Sequence, residues 1–163
     1  MSLDPGTVFA QRFIIEQLAN TGGMGAIYRA HDQLTAQAVA LKLLQKDNFG
    51  PDERFEREAQ LLAELEHPGI VSYVAHGVGD GGARFLAMEW LVGEDLASCL
   101  RRGPLSIKAS VGVLKKVAAA LAHAHARGVI HRDLKPSNLF LCDGDVERSE
   151  ERRVGKECLR LCR

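Results

Sequence analysis

The sequence predicts an α+β chain whose strands fill roughly the first 91 residues and whose helices follow. Three observations carry this. Five short apolar runs lie before Gly93, bounded by Gly, Pro, Asp and Asn. A single stretch with a three-and-four apolar period separates the third run from the fourth. Beyond Gly93 the strand pattern stops and two helical segments take over. Runs of strands followed by runs of helices mark a segregated rather than an alternating fold. With 163 residues the chain has room for one domain and a real core.

Residues 1–12 read as a lead-in. Residues 13–18 form the first strand, a Gly-rich turn covers 20–25, and residues 26–30 form the second strand. The third, largely apolar, runs over 38–44. Pro51 and Asp52 then open a helix. Phe55, Ala59, Leu62 and Leu65 give it one buried face to about Glu66. Pro68 and Gly69 punctuate. Residues 70–77 and 84–91 are the fourth and fifth strands, joined by a turn at 79–82. After Gly93, Asp95 or Glu94 caps a short helix that runs through Arg101. Ser106 caps a long one with apolar positions Val111, Leu114, Val117, Leu121 and Ala122, ended by Gly128.

The chemistry concentrates in His131, Arg132, Asp133, Leu134, Lys135, Pro136, Ser137 and Asn138. An acid, a fixed cation and an amide fall within eight residues, after an apolar helix and before a short apolar strand. Phosphoryl transfer needs such parts. A carboxylate orients the attacking hydroxyl and accepts its proton, a cation steadies the phosphoryl group, and an amide oxygen helps hold Mg²⁺. A solvated turn could carry the same residue types, so the octet needs the rest of the chain beside it.

The octet matches the catalytic loop of protein kinases, and Lys135 resembles their serine/threonine branch. Four further stretches resemble that family in the same order. Asn20, Thr21, Gly22, Gly23, Met24 and Gly25 resemble the Gly-rich phosphate loop, with Asn20 where the first glycine usually stands and Ile27 where Val is usual. Val39, Ala40, Leu41 and Lys42 resemble the strand whose lysine meets the α- and β-phosphates. Alternatively, a lysine ending an apolar strand snorkels to solvent. Glu58 is the expected helix partner of Lys42. Met88, Glu89, Trp90 and Leu91 resemble the hinge, where backbone groups of Glu89 and Leu91 would meet adenine and Met88 would gate the pocket behind it.

The resemblance covers about residues 13–147 and implies a protein kinase-like fold: a complete small lobe with a five-stranded antiparallel sheet plus one helix over 13–91, and a truncated helical large lobe over 92–147. It implies ATP and Mg²⁺, with Ile27, Ala40 and Phe140 around the adenine ring. Asp95 would take the ribose hydroxyls, unless it serves as a helix cap. Asp133 would be the base, Lys135 the γ-phosphoryl cation and Asn138 the metal ligand. His131 would pack beneath the loop, and Arg132 would receive an activation-loop phosphate. Gly22, Gly23, Met24 and Gly25, with residues 67–71, point to the bacterial type.

Two features depart from the family. No Asp-Phe-Gly and no Ala-Pro-Glu occurs anywhere. Asp143 and Asp145 follow Asn138 too soon to replace the missing metal ligand. From Arg148 the chain loses all apolar period and carries six Lys/Arg against three Asp/Glu, so the first 147 residues alone sum to −3. Residues 148–158 resemble one reading frame of a common sequencing adapter. They are read as foreign, and 159–163 with them.

Composition excludes little else. Net charge is zero, which offers nothing to nucleic acid. No secretory signal and no run of membrane-spanning length is evident, so a cytoplasmic, non-membrane chain is expected. Cys99, Cys142, Cys158 and Cys162 have no zinc spacing. His123 and His125, two apart on a helix, make a poor metal pair. The expected function is a kinase acting on protein Ser/Thr. A non-catalytic nucleotide-binding pseudokinase is the alternative, and a small-molecule phosphotransferase a third.

Overall fold

The computed structural model describes residues 2–22, 25–44, 52–142 and 157–159, with 52–54 and 157–159 as backbone alone. The chain divides into two compact units, 1–64 with 73–90, and 65–72 with 91–163.

The first unit is a curled antiparallel sheet of β1 (Val8–Phe9), β2 (Phe13–Gly22), β3 (Gly25–Asp32), β4 (Gln37–Leu44), β5 (Tyr73–Val78) and β6 (Arg84–Glu89), with α1 (Asp52–Ala63). The strand order is β1-β2-β3-β4-β6-β5. Six strands replace the expected five because the lead-in is not loose. Val8 pairs with Ile14 and Phe9 with Phe13. Phe9 is fully buried, edge-on to Phe85 with ring centroids 5.5 Å apart. Leu3 is buried too, and its N–H donates to the Tyr28 hydroxyl at 3.2 Å. Burying a Phe and a Leu stabilises by roughly 1.5–3 kcal/mol each, enough to order a segment with a weak strand signal. β5 begins at Tyr73 rather than at residue 70, and α1 ends at Ala63 rather than near Glu66. Phe13, Ile15, Tyr28, Ala30, Val39, Leu41, Leu43, Phe85 and Ala87 complete the core with Phe9.

A polar cluster around Asp32 is buried in this unit. Asp32 is fully buried and accepts from Arg12 Nε and Nη2, both at 2.7 Å, from the Leu34 N–H at 3.1 Å and from the Thr35 hydroxyl at 2.8 Å. The Arg12 hydrogen bonds hold its carboxyl far below the usual carboxylate range.

The second unit contains β7 (Gly93–Asp95), α2 (Leu96–Arg102), α3 (Ile107–His125), β8 (Leu139–Cys142) and β9 (Glu157–Leu159). Both expected caps form. Asp95 Oδ1 accepts from the Ser98 N–H at 2.9 Å, and Ser106 Oγ accepts from the Ala109 N–H at 3.2 Å. Val113, Val117, Ala120 and Ala124 are buried, whereas Val111 and Leu114 stand 45% and 65% exposed. The His123 ring lies tilted against His67, centroids 5.1 Å apart. β9 adds to β8 through Leu139–Leu159, Phe140–Cys158 and Leu141–Glu157, so part of the stretch read as foreign is a strand here. The rest of 148–163, and Asp143 and Asp145, lie outside the described residues.

Candidate active site

The first unit carries the expected nucleotide residues of β2, β3, β4 and α1. Across β3, β4 and β6 the cross-strand partners fall into two rows, Ile27–Lys42–Leu86 and Arg29–Ala40–Met88. Partners across an antiparallel pair, and residues two apart along a strand, share a face. Ile27, Ala40, Lys42 and Met88 therefore stand on one face, and the core fills the other. Asn20 pairs with Ile27 at the end of the same face.

Lys42 is only 6% exposed. This excludes the snorkelling alternative, because an ammonium at that depth needs an anionic partner. α1 lies over the same face. Phe55 is edge-on to His76 at 5.7 Å, and His76 pairs in register with Leu86. Glu58, one turn beyond Phe55, is half-buried on that side of the helix.

The glycines of the β2–β3 turn divide by role. Gly22 pairs with Gly25 across it, and Gly23 lies outside the described residues. Gly25 has φ +130°, and a Cβ there would stand 1.9 Å from the Leu43 carbonyl oxygen. Packing alone demands a glycine at 25. At Gly22 a Cβ would meet nothing within 4 Å, so open space lies beside that backbone.

The second unit carries the expected catalytic loop. α3 ends at a turn through Gly128, φ +74°, and the chain passes into the loop 131–138. His131 is buried, and the Asp133 N–H donates to its carbonyl at 2.7 Å. Arg132 sits at φ +58°, a left-handed conformation costly for a non-glycine residue and one that collects at functional sites. This bend turns Asp133 toward Lys135 and Asn138. Lys135 Nζ lies 2.7 Å from Asp133 Oδ2. Asn138 Nδ2 donates to the Asp133 carbonyl at 2.8 Å and to Oδ2 at 3.1 Å. The Lys135 contact chiefly, helped by Asn138, pushes the Asp133 carboxyl below its ordinary value. It is an ionised acceptor at neutral pH. Asp95 and Phe140 are direct partners across β7 and β8, so the two expected ribose and adenine contacts stand side by side. Asp95 also serves as the α2 cap, the other reading left open for it.

The resemblance extends to known proteins. A family model described as protein kinase domain matches residues 14–149. The chain belongs to the protein kinase family. Serine/threonine-protein kinase pkn3 of Myxococcus xanthus is 38% identical over 140 residues, covering 83% of this chain and 26% of that protein. Serine/threonine-protein kinase PknA of Mycobacterium tuberculosis is 39% identical over 150 residues, covering 86% and 35%. The crystal structure of the Mycobacterium tuberculosis PknI kinase domain superposes with a TM-score of 0.79 at 31% identity, covering 88% of this chain and 60% of that one. This kinase chain thus spans about a quarter to a third of its curated relatives and three fifths of a solved kinase domain.

Sequence reasoning places Trp90 in the hinge but misses its contact with Arg29, and misses Glu16 and Arg29 altogether. Arg29 Nε lies 2.7 Å from Glu16 Oε2, and its guanidinium carbon stands 5.5 Å from the Trp90 ring centroid. Nothing in their spacing signals this, since Glu16 reaches Arg29 through the irregular β2–β3 register, where Arg29 pairs with Gln17, and Trp90 reaches it across β4.

Proposed function

We propose that this chain is the nucleotide-binding and catalytic-loop portion of a protein serine/threonine kinase, which transfers the γ-phosphoryl group of ATP to a protein Ser or Thr hydroxyl. The Asp133–Lys135–Asn138 cluster carries the reading. Asp133 accepts the hydroxyl proton as the oxygen attacks. Lys135, held on Asp133 Oδ2, offers its remaining N–H groups to the phosphoryl oxygens. Ile27, Ala40 and Phe140 pack the adenine ring, with Met88 gating behind it. The Glu89 and Leu91 backbones meet its edge, and Asp95 takes the ribose hydroxyls. Lys42, paired with Glu58, meets the α- and β-phosphates. Asn20, Gly22, Gly23 and Gly25 cover the phosphates, and the open space at Gly22 suits close approach of an oxygen.

Asn138 fits a Mg²⁺ ligand. Its Nδ2 is committed to Asp133, which leaves Oδ1 as a hard oxygen donor without a protein hydrogen bond among the described residues. Bound there, Mg²⁺ would neutralise charge on the β- and γ-phosphate oxygens. No group of three His, Cys, Asp or Glu that could hold a metal occurs among the described residues, and no Asp-Phe-Gly occurs in the sequence. Adenine nucleotide binding without turnover is therefore expected of the 163-residue chain. Radiolabel transfer from ATP to a Ser/Thr protein is expected of a chain extended to the full family domain. Absence of transfer by the extended chain, with nucleotide still bound, would favour the pseudokinase reading that Asn20 supports.

A further inference from the structure

We infer that Arg29 is a positioning residue for the nucleotide, acting through Trp90 on the hinge backbone. The proposal rests on the nucleotide reading above. Arg29 stands in the Arg29–Ala40–Met88 row, on the face that holds Ile27 and Lys42. Its guanidinium touches two things. Glu16 Oε2, on β2, lies 2.7 Å from Nε as an ion pair, although Nε makes no hydrogen bond among the described residues. The guanidinium carbon lies over the Trp90 ring, 5.5 Å from its centroid, a distance at which a cation is attracted by the ring's negative face.

Trp90 lies between Glu89 and Leu91, whose backbone groups are assigned to adenine. β6 ends at Glu89, so past that point the sheet ladder no longer fixes the chain. The Trp90 N–H still donates to the Ala38 carbonyl, but at 3.4 Å. Such a bond is long for N–H···O. The ring is therefore the second anchor of the segment, and Arg29 is what holds the ring. Glu16 supplies a countercharge beside the guanidinium, a weak bias on a side chain that would otherwise sample many rotamers. Glu16 and Arg29 are 37% and 40% exposed at their side chains, so neither is needed to fill the core.

Trp90 is the only tryptophan, so intrinsic tryptophan fluorescence reports on this one position. The test uses the 163-residue chain at submicromolar concentration. Acrylamide, a neutral quencher, probes exposure of Trp90, and anisotropy of N-methylanthraniloyl-ADP gives nucleotide affinity. Arg29→Met keeps the apolar stem and removes the charge. It should increase quenching and raise Kd about two- to fivefold, the size of an exposed cation–π contact. Arg29→Lys should fall between, and Glu16→Gln should shift both readings the same way by less. Circular dichroism checks that each variant is folded, and Arg29→Lys serves if Arg29→Met is not. Unchanged quenching in folded Arg29→Met would overturn the clamp whether or not nucleotide binds. Altered quenching at unchanged Kd would overturn its role in positioning nucleotide. A wild-type chain with no affinity for the probe would overturn the nucleotide reading itself, while the quenching arm still decides the clamp.

Discussion

Asp133 has two neighbours with different consequences. Lys135 keeps it ionised, and Asn138 fixes the side chain through two hydrogen bonds. In a catalytically complete chain, Asp133→Asn should reduce kcat about 10²–10⁴-fold, the usual worth of a positioned general base, with nucleotide Kd nearly unchanged. Radiolabel transfer and a nucleotide titration check both halves. Lys42→Met should weaken nucleotide binding instead, as the proposed contact of Lys42 with the α- and β-phosphates requires, and the same titration checks it. These residues were legible because each stands in a short run of fixed spacing. Arg12 and Asp32 were not, being 20 apart and joined only across the β2–β3 hairpin. Removing one partner of a buried pair costs roughly 3–5 kcal/mol, and Arg12 is about a quarter exposed, so Arg12→Ala should fall at or below the lower end. Asp32 is depressed in the folded state. Its contribution is thus complete above the unfolded carboxylate pKa, about 3.9, and is lost as pH falls through the lower folded value. Urea unfolding of wild type and Arg12→Ala at pH 7 and pH 3 should show the two converging in acid.

Elements were legible in kind and order but not in their limits. β2 runs to Gly22, well past the residue-18 end read from its apolar run, because the ladder to β3 continues through polar Asn20 and Thr21. β1 escaped notice because two residues have no measurable period; it exists through the burial of Phe9. At Gly79 a Cβ would stand 2.2 Å from the Phe9 ring, so that glycine makes room for the lead-in. β7 escaped for a similar reason: it is three residues long, and its register depends on a backbone only Gly93 allows. Gly93 has φ +142°, and a Cβ would fall 2.0 Å from the Leu141 carbonyl oxygen. Gly93→Ala should therefore cost at least about 1–3 kcal/mol and loosen the pairing that sets Asp95 beside Phe140. Amide hydrogen exchange at residues 93–95 and 139–142 would show it. Equal protection in the variant would mean that β7 tolerates the shift.

At the scale of the whole molecule, α3 shows how much of the fold a strong period reveals and what it leaves open. The sequence marks Val111, Leu114, Val117 and Leu121 as apolar, but the period alone does not say which of them finds a partner. In the structure Val117 joins Val113, Ala120 and Ala124 on the buried side, while Ile107, Val111 and Leu114 form an outward stripe, 85%, 45% and 65% exposed. They are four and three residues apart, so they share one side of the helix. Fully burying a Val or Leu is worth roughly 1.5–3 kcal/mol. Leaving three such side chains wet forfeits an amount comparable with the lower end of a domain's whole stability, about 5 kcal/mol. The 163-residue chain should consequently self-associate as its concentration rises, because contiguous exposed apolar surface is lowered in free energy by contact with more of the same. Sedimentation velocity across a concentration series should show species larger than monomer. Val111→Lys with Leu114→Lys should return the chain to monomer without loss of helicity, since lysine is a good helix former and neither site is buried. A wild-type chain that stays monomeric throughout would mean that this stripe is too narrow, or too well covered by neighbouring lysines 108 and 115, to drive association.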